Sequence, residues 1–436
     1  MDWPIENLEL GGGFSNYKIT KFLNSILLMI PSLRKRFNEN FTPEKYQKFL
    51  RRIDDLCGTH VQFRLSETPC FFPKELVDVM SRSGDELIRQ LVDNPAYRAK
   101  SDEAVPAAFN VPNEAPHPMF IQVDFGLVRD ENDKIQPKLV ELQAFPSLYA
   151  YQTFLAQAHI DVYGLEKLAS GSGLPASGPL KYFLGGLDHE SYRNLLRRAI
   201  VGSHDPENVI LMEIHPQEQK TLPDFLLTEK MLGVRTVDIV DIKKDGSRLY
   251  YERDGKRIPI HRIYNRAIVD ELERKNVKLA FDWRDDLSVE WAGHPNWYFR
   301  ISKFSIPYLK HATVPRTWFL GQLEEVPSDL ENYALKPLYS FAGLGVVIAP
   351  TKDDIAAIPT EKRPYYILQE RLNFEPVIET PFGGTKAEVR VMYIWLDQLT
   401  PVLTIIRMGR GLQMGVDHNK NMEWVGASAG LYVDSV

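Results

Sequence analysis

The stretch Tyr333–Ile348 reads YALKPLYSFAGLGVVI, and it decides how the rest of the chain is interpreted. Its apolar beginning is typical of a strand, and this strand delivers Lys336 directly before Pro337. Proline favours an extended backbone at the preceding residue and ends regular strand pairing. A turn of small residues follows, and Val346-Val347-Ile348 indicates a returning strand. The stretch therefore predicts a hairpin with a lysine at the base of its loop.

This hairpin has the features of a polyphosphate site. Gly343 and Gly345 allow backbone N–H groups to approach an anion closely, and Lys336 adds a positive charge. It is not a Walker P-loop, because no Gly-Lys-Ser/Thr opens a helix after it. A plain surface hairpin with a solvated lysine remains the alternative, since many glycine loops are only turns.

The composition is that of a soluble globular protein. The 436 residues are enough for two or three domains, with 44% hydrophobic and 25% charged residues. A formal charge of −6 gives no electrostatic reason to expect nucleic acid or an anionic membrane as partner. The first ten residues do not resemble a signal peptide, and the run Ile26–Ile30 is too short to span a bilayer. Two cysteines, Cys57 and Cys70, are too few for a disulfide framework, so we expect a cytoplasmic protein.

The secondary structure is predicted to change along the chain. Residues 1–115 have mostly helical periodicity, and the proline-rich segment 104–118 marks a boundary. Strand-like segments at 208–214 and 235–240 enclose a predicted helix at 218–232, which indicates a β–α–β unit and a parallel sheet. A helix is expected over 297–309. The glycine- and asparagine-rich tail from Gly409 is expected to form loops.

Polar side chains alternate with apolar ones in two neighbouring predicted strands. One strand, within residues 119–125, presents Asp124 opposite its apolar face, and the next, within 138–144, presents Glu141 and Gln143. Two carboxylates and an amide oxygen suit Mg²⁺ held jointly with phosphates. A half-buried hairpin with a polar outer face explains the same alternation.

Several cations lie on predicted strands and helices. Arg262 and Arg266 could bind a carboxylate or phosphate through bidentate hydrogen bonds, although solvation explains them equally well. Arg390 and Arg407 lie on two later strands. Lys303 lies on the predicted helix, where it would by itself be read as a surface residue.

The order of these segments resembles the nucleotide-binding half of the ATP-grasp superfamily. In this chain Lys303 precedes a short predicted strand. A strand that ends in Lys336-Pro337, a glycine loop and a returning strand follow, and a later strand ends in Gln369-Glu370. The same order of elements is found in that superfamily. In most of that superfamily the acidic metal ligands follow the lysines, whereas here Asp124 and Glu141 precede them. This order resembles the circularly permuted branch typified by the synthetase domain of glutathionylspermidine synthase. The stretch LVELQAFPSLYAYQ fits its Glu-x-Asn strand with glutamine in place of asparagine, and the resemblance covers roughly residues 117–436.

The resemblance implies a fold and a set of roles. The fold would be α/β, with α+β lobes that clamp ATP between antiparallel sheets, in a circularly permuted order. Residues 1–115 would be a helical N-terminal region, 116–295 a metal- and substrate-binding α/β region and 296–436 the nucleotide-binding lobe. The cofactors would be ATP and Mg²⁺. ATP would be contacted by Lys303, Lys336 and the loop residues Ser340, Ala342, Gly343 and Gly345, and its adenine would lie in a pocket of Gln369, Glu370 and Leu372. Mg²⁺ would be held by Asp124, Glu141 and Gln143.

Two positions depart from the family pattern. Gln122 occupies the position where an arginine contacts the reacting phosphoryl and acyl group in glutathionylspermidine synthase. Gln143 is one methylene longer than asparagine. The resemblance therefore requires that another arginine supply the missing charge, and the candidate catalytic residues are Arg262, Arg266, Arg390 and Arg407.

The predicted activity is ATP-dependent carboxylate–amine ligation. A substrate carboxylate attacks the γ-phosphorus of ATP to give an acylphosphate and ADP, and a bound amine of the amino acid, peptide or polyamine class then displaces phosphate. Cations stabilise the developing charge, and no covalent protein nucleophile is needed. Two alternatives stay open: an ATP-dependent phosphotransferase, and a non-catalytic nucleotide-binding protein, to which the departures at Gln122 and Gln143 lend weight.

Overall fold

The computed structural model describes residues 30–170, 179–339, 344–419 and 421–434, without the side chains of Asp270 and Asp417. It is a mixed α/β fold, as predicted. In chain order the strands are β1 (Cys70–Pro73), β2 (Phe120–Arg129), β3 (Ile135–Gln143), β4 (Val209–Glu213), β5 (Arg235–Asp238), β6 (Lys243–Asp245), β7 (Arg248–Arg253), β8 (Lys256–Ile260), β9 (Arg262–Asn265), β10 (Glu290–Ala292), β11 (Thr317–Phe319), β12 (Tyr333–Pro337), β13 (Val347–Ile348), β14 (Tyr366–Glu370), β15 (Ile378–Thr380), β16 (Gly383–Trp395), β17 (Leu399–Gly409) and β18 (Gly426–Val433).

The α-helices follow the same order, joined by loops and short 3₁₀ helices. They are α1 (Pro31–Asn40), α2 (Pro43–Cys57), α3 (Lys74–Val92), α4 (Pro95–Lys100), α5 (Tyr151–Tyr163), α6 (Leu165–Ser170), α7 (His189–Ile200), α8 (Leu222–Leu232), α9 (Val269–Arg274), α10 (Asn296–Arg300), α11 (Lys352–Ala356) and α12 (Val416–Asn419). No helix in the described ranges is both long and apolar enough to cross a membrane.

A large central sheet collects strands from distant parts of the sequence. Its order is β1-β18-β17-β16-β2-β3, with β15 paired to β16. Only the β1–β18 pair of this sheet is parallel in the described chain. The β2–β3 register sets Asp124 opposite Glu141 and Gln122 opposite Gln143, so these four side chains share one face. The alternation seen in the sequence predicted this face.

The segment before residue 116 is built into this sheet. β1 is one edge strand, and α3 buries Met80 and Leu87 in the same core as Val123 of β2 and Val389 of β16. The boundary predicted from the proline-rich segment therefore does not separate two hydrophobic cores.

A parallel sheet of order β10-β9-β4-β5 forms a second layer, and α8 connects β4 to β5 as the β–α–β pattern predicted. β6, β7 and β8 form an antiparallel meander beside it. Asp254-Gly255 joins β7 to β8, and the two residues have positive φ angles of 51° and 72°, as a two-residue hairpin turn requires.

The hairpin around Lys336 lies in a third, antiparallel sheet of order β11-β14-β12-β13. Lys336 in β12 lies opposite Ile367 of β14, and Ala334 lies opposite Ile348 of the returning strand. Residues 340–343 of the loop lie outside the described residues.

Two local predictions are wrong. The helix expected over 297–309 ends at Arg300, and a 3₁₀ helix begins at Lys303 after Ser302, whose side chain accepts from the Phe304 N–H. The tail expected to form loops contains β18, which is buried along its whole length. Its small residues reflect close packing, because a Cβ added at Gly430 would lie 2.5 Å from Thr404 Oγ1 and 3.0 Å from the Phe72 ring.

We expect Gly430→Ala to lower the free energy of unfolding by about 1–3 kcal/mol, the usual cost of adding volume to a packed core. Urea denaturation of the purified protein measures the change. Removing the nearest obstacle with Thr404→Ala in the same chain should recover part of the loss. An unchanged denaturation midpoint for Gly430→Ala would show that the sheet gives way at this position.

Candidate functional site

A cleft with a volume of about 620 Å³ lies where the three sheets meet. Its walls come from the polar face of the central sheet, from the β12–β13–β14 side of the small sheet, and from the carboxyl end of the parallel sheet. Of the residues selected from the sequence, those that line it are Glu141, Gln143, Arg266, Lys303, Lys336, Gln369, Glu370, Leu372, Arg390 and Arg407.

Asp124 lies beneath the cleft at the centre of a buried ionic network and is 1% exposed. Its Oδ1 accepts from Arg390 Nε at 2.5 Å, and its Oδ2 accepts from Arg390 Nη2 at 2.7 Å and from Arg407 Nη2 at 2.9 Å. Arg407 also pairs with Glu388 through Nη1. The strand registers explain these contacts, because Arg390 lies opposite Asp124 and Glu388 lies opposite Arg407.

The network shifts the pKa values of its two carboxylates, Asp124 and Glu388, in opposite directions. Burial alone would raise the pKa of Asp124, but the guanidinium groups of Arg390 and Arg407 outweigh it and hold the pKa below its usual range. Burial raises the pKa of Glu388, and the nearby charges of Asp124 and Glu141 add to that shift against the opposing effect of Arg407. Asp124 is therefore the permanent anion of the network.

The guanidinium of Arg390 lies next to Gln122, the position at which the family resemblance leads us to expect an arginine. Its Nη1 donates to Gln122 Oε1 at 2.9 Å. The Gln143 amide lies against the same guanidinium, and with its oxygen turned towards Arg390 it accepts from Nη1 at 2.8 Å and from Nη2 at 3.0 Å. The charge that would have come from β2 is thus present beside Gln122, but it is carried by β16.

The three side chains predicted to bind Mg²⁺ meet, but they do not fit a metal site in this arrangement. Both Asp124 oxygens accept from arginines, and Gln143 faces Arg390. Among the described residues there is no cluster of three or more His, Cys, Asp or Glu side chains that could hold a metal ion. Glu141 differs, because its ion pairs with Lys303 at 3.6 Å and Arg390 at 3.7 Å are longer than hydrogen bonds. Its oxygens can still serve a cation that brings other ligands.

The two predicted lysines reach the same wall. Lys336 is buried, and its Nζ donates to the Val140 carbonyl at 3.3 Å and to Gln369 Oε1. Burial lowers its pKa to about 8, although the nearby Glu141 carboxylate opposes the shift. A lysine desolvated in this way gains favourable energy when an anion binds beside it.

The wall of the cleft next to the parallel sheet carries the buried guanidinium of Arg266. Arg266 follows β9 and Glu213 ends β4, and carboxyl ends of neighbouring parallel strands meet at one edge of a sheet. Arg266 is 3% exposed, and its guanidinium lies 5.0 Å from the Phe145 ring centre. Its Nε and Nη1 have no hydrogen-bond partner within the described part of the chain. This arrangement is open to a carboxylate.

Arg262 does not reach the cleft and is not solvated. Its Nε and Nη2 donate to the carbonyls of Ile200 and Ala199 at 3.0 Å each, at the carboxyl end of α7, and its Nη1 pairs with Glu290. The guanidinium therefore caps a helix, so we withdraw Arg262 as a catalytic candidate.

The phosphate-loop candidates are only partly described. Ser340, Ala342 and Gly343 lie outside the described residues. Gly345 has a φ of 73°, in the left-handed region that favours glycine, and it precedes Val346, which lines the cleft. Glu370 faces partly outward and pairs with Arg316 at 3.2 Å.

Sequence reasoning missed several charged residues that line the cleft, among them Glu213, Lys386 and Glu388. Glu388 shares a predicted strand face with Arg390, and this alternation was the available signal for it. Glu213 ends a buried-looking strand, a position that is frequently functional in parallel sheets. Lys386 donates to the Gly411 carbonyl at 3.2 Å, a long-range contact without a sequence signal.

No protein-family model matches the sequence, and no curated protein matches it either. Among solved structures, the chain is similar to a glutathione synthetase-like effector from Globodera pallida in its apo form. The TM-score is 0.55 at 11% sequence identity, and the match covers 90% of this chain and 99% of that chain. At this identity the likeness concerns the fold alone, and it extends over nearly the whole chain.

We expect Asp124→Asn to lower the free energy of unfolding by about 3–5 kcal/mol, because it leaves two buried guanidinium groups without their shared anion. Glu141→Gln is the matched control. Its side chain is partly exposed and its ion pairs are long, so its loss should be about 1 kcal/mol or less. Denaturant unfolding at pH 7 measures both, and equal losses would contradict the central place given to Asp124.

Glu213 should make stability depend on pH. Burial raises its pKa to about 8, against the opposing effect of Arg266. Since the folded state binds this proton more tightly than the unfolded state, the stabilisation is complete below about pH 4.5 and is lost as pH rises through about 8. Thermal unfolding should therefore show Glu213→Gln gaining on the wild type between pH 5 and pH 9.

The control for this measurement is Glu166→Gln, the same substitution at an exposed position of α6 outside the cleft. Its unfolding temperatures should run parallel to those of the wild type. Parallel curves for Glu213→Gln and the wild type would show that Glu213 is ionised in the folded protein.

Proposed function

We propose that this protein is an ATP-dependent carboxylate–amine ligase of the ATP-grasp type, in the circularly permuted arrangement, that works through an acylphosphate. The observation that carries the proposal is a cleft lined both by two buried lysines and by a buried arginine, Arg266, with two nitrogens that have no hydrogen-bond partner among the described residues. This arrangement suits a polyphosphate and a carboxylate bound side by side, as phosphoryl transfer between them requires.

In the cleft, Lys303 and Lys336 would contact the phosphates of ATP. Lys336 is buried and its pKa is lowered, so a phosphate oxygen would offset its desolvation. The base would lie on the wall formed by β12, β13 and β14, near Leu372 and Gln369.

A magnesium ion would have to arrive with the nucleotide, because Asp124 has no free oxygen for it. Glu141 is the predicted ligand that remains open, and Glu388 is a second carboxylate that lines the cleft. Such an ion supplies charge neutralisation to the phosphates. Phosphate oxygens would complete its coordination.

On the wall next to the parallel sheet, Arg266 would hold the substrate carboxylate group. Arg390 and Arg407 line the cleft and are fixed by Asp124, so they would stabilise negative charge as the carboxylate attacks the γ-phosphorus. The amine then displaces phosphate from the acyl carbon, which forms the amide and restores the carbonyl. We propose amino acids, short peptides or polyamines as substrate classes.

One observation favours a second candidate, a nucleotide-binding protein without catalysis. Two of the three residues expected to bind the metal, Asp124 and Gln143, are occupied by guanidinium groups, so chemistry that depends on a preformed metal site would be lost. Nucleotide binding would survive, because the lysines are independent of that set.

The test is ADP release with Mg-ATP across amino acids, short peptides and polyamines, with hydroxylamine present to trap an acylphosphate as a hydroxamate. A ligase gives ADP and hydroxamate, whereas a phosphotransferase gives ADP without hydroxamate. ATP binding without turnover would identify the non-catalytic alternative.

Lys336→Met should weaken ATP binding by about 2–3 kcal/mol, because it removes a charged hydrogen-bond donor while keeping the volume of the side chain. Calorimetry measures the affinity. Lys362→Met, at an exposed position of the same lobe, should leave it unchanged. Unaltered affinity in a folded Lys336→Met protein would remove this lysine from the nucleotide site.

A further inference from the structure

Arg266 and Glu213 lie side by side at the carboxyl edge of the parallel sheet. The Arg266 N–H donates to the Met212 carbonyl at 2.9 Å, so Arg266 continues β9 beside the end of β4, whose last residue is Glu213. Neighbouring strands lie about 4.8 Å apart in this direction. Both side chains are buried, and both line the cleft. The edge therefore presents a basic and an acidic side chain next to each other.

The two side chains are not used by each other. The guanidinium of Arg266 lies 5.0 Å from the Phe145 ring centre and 5.5 Å from that of Phe225, and its Nε and Nη1 have no hydrogen-bond partner among the described residues. Glu213 Oε1 accepts from the Ile214 N–H at 2.8 Å, and no ion pair within 4.0 Å joins Glu213 to Arg266, both of which are described. Buried donors without acceptors cost free energy and are rare in folded proteins, so this edge fits a ligand that brings an acceptor.

Further acceptors lie beside Glu213. Gln219 and Glu271 also line the cleft, and Gln219 Nε2 donates to the Ile214 carbonyl at 2.8 Å and to Glu271 Oε1 at 3.2 Å. Because the NH₂ group of Gln219 is used in this way, its amide oxygen is left as an acceptor. Glu271 also pairs with Lys275 at 2.8 Å. We call Glu213, Gln219 and Glu271 the acceptor corner. An ammonium group has three donors and no acceptor, so the acceptor corner suits it.

A ligand with one charge does not satisfy both parts of this edge. A simple carboxylate on Arg266 would bring another anion beside the acceptor corner, and a simple amine in the corner would face the guanidinium. Burial already raises the pKa of Glu213 to about 8, and the carboxylate of Glu271 adds to this shift against Arg266 and Lys275. A ligand that carries a carboxylate and an ammonium group a few bonds apart offsets both costs together.

We propose that this edge of the cleft binds the amino-carboxylate group of an amino acid, with its carboxylate on Arg266 and its ammonium group in the acceptor corner. The inference rests on the proposed function for the role of this ligand and deepens it, because it names an amino acid as the carboxylate substrate. Simple carboxylic acids and polyamines each lack one of the two charges.

The experiment begins with thermal unfolding of the protein in the presence of each standard amino acid, with and without Mg-ADP. At least one amino acid should raise the unfolding temperature. Calorimetry then compares the most stabilising one with its deaminated and its decarboxylated analogue, which keep the same side chain. Each analogue should bind at least about tenfold more weakly, since a site discriminates strongly when its buried polar groups are left unpaired.

Each half of the site has its own variant. Glu213→Gln keeps the shape of the side chain and should reduce the preference over the deaminated analogue only. Arg266→Gln should reduce the preference over the decarboxylated analogue only. Glu166→Gln, at an exposed position outside the cleft, should keep both preferences. If Arg266→Gln does not fold, the Glu213 variant and the analogues on the wild type decide the matter.

Binding of the amino acid should also release a proton at pH 7. Glu213 holds its proton in the free protein at this pH, because its pKa is about 8, and a bound ammonium group favours the ionised carboxylate. Calorimetry in buffers of different ionisation enthalpy counts the released protons. Glu213→Gln should abolish the release, and a merely structural role of Glu213 would not produce it.

The outcomes separate this inference from the proposed function. If the deaminated analogue binds as tightly as the amino acid and no proton is released, Glu213 acts as a neutral donor to a carboxylate, and the ammonium site is wrong. If no amino acid stabilises the protein, with or without Mg-ADP, the inference falls, while ADP and hydroxamate formed from another carboxylate would keep the ligase. Amino-acid binding without any binding of ATP would remove the proposed function and leave this site.

Discussion

The buried carboxylate of Asp124 is the constraint on which the site depends. A charge removed from water is tolerated only when paired and hydrogen-bonded, and Asp124 meets this condition through two arginines on two other strands. A slip of one residue in β2, β16 or β17 would turn these side chains to the opposite face and leave charges in an apolar core. The network thus ties the register of three strands to the polarity of the cleft. Its main effect is specificity, since a buried ion pair is seldom more stabilising than an apolar pair of similar volume.

Much of this polar face could be predicted from the sequence, because the alternation of side chains along a strand is local. The shared face of Asp124 and Glu141 follows from a period of two, and the hairpin around Lys336 follows from its proline and glycines. The parallel pair β4–β5 was likewise predicted from strand–helix–strand order. Alternation does not show which side chain of a neighbouring strand contacts a given residue. The arginines that occupy Asp124 come from residues more than 260 positions later, and they turn an expected metal site into an ionic network.

The wrong predictions have the same physical origin, which is contact between residues that are far apart in the sequence. β18 pairs with β1 at the opposite end of the chain, and its small residues are selected by contacts with Thr404 and Phe72 that no local pattern reveals. Arg262 and Arg266 are four positions apart around one strand end, yet the first caps α7 and the second faces the cleft. Which of two such arginines serves structure and which serves a site depends on the packing of neighbouring elements. The sequence could therefore indicate both arginines as candidates, but it could not show which of them faces the cleft.

The charges of the cleft bear on the order in which ligands would bind. The cleft is lined by four cations: Lys303, Lys336, Arg390 and Arg407. The pKa of Glu388 is raised, and Asp124 is already ion-paired with the arginines. Glu141 is then the main open anion, and it lies within 4 Å of two of the cations. A divalent cation entering alone would meet this positive surplus, because Glu141 and Glu388 already pair with lysine or arginine side chains. A polyphosphate would instead be attracted by the cations, and it would carry the oxygens that a metal ion needs. Under the proposed function, we therefore infer that a metal ion would enter this site with the nucleotide and not before it.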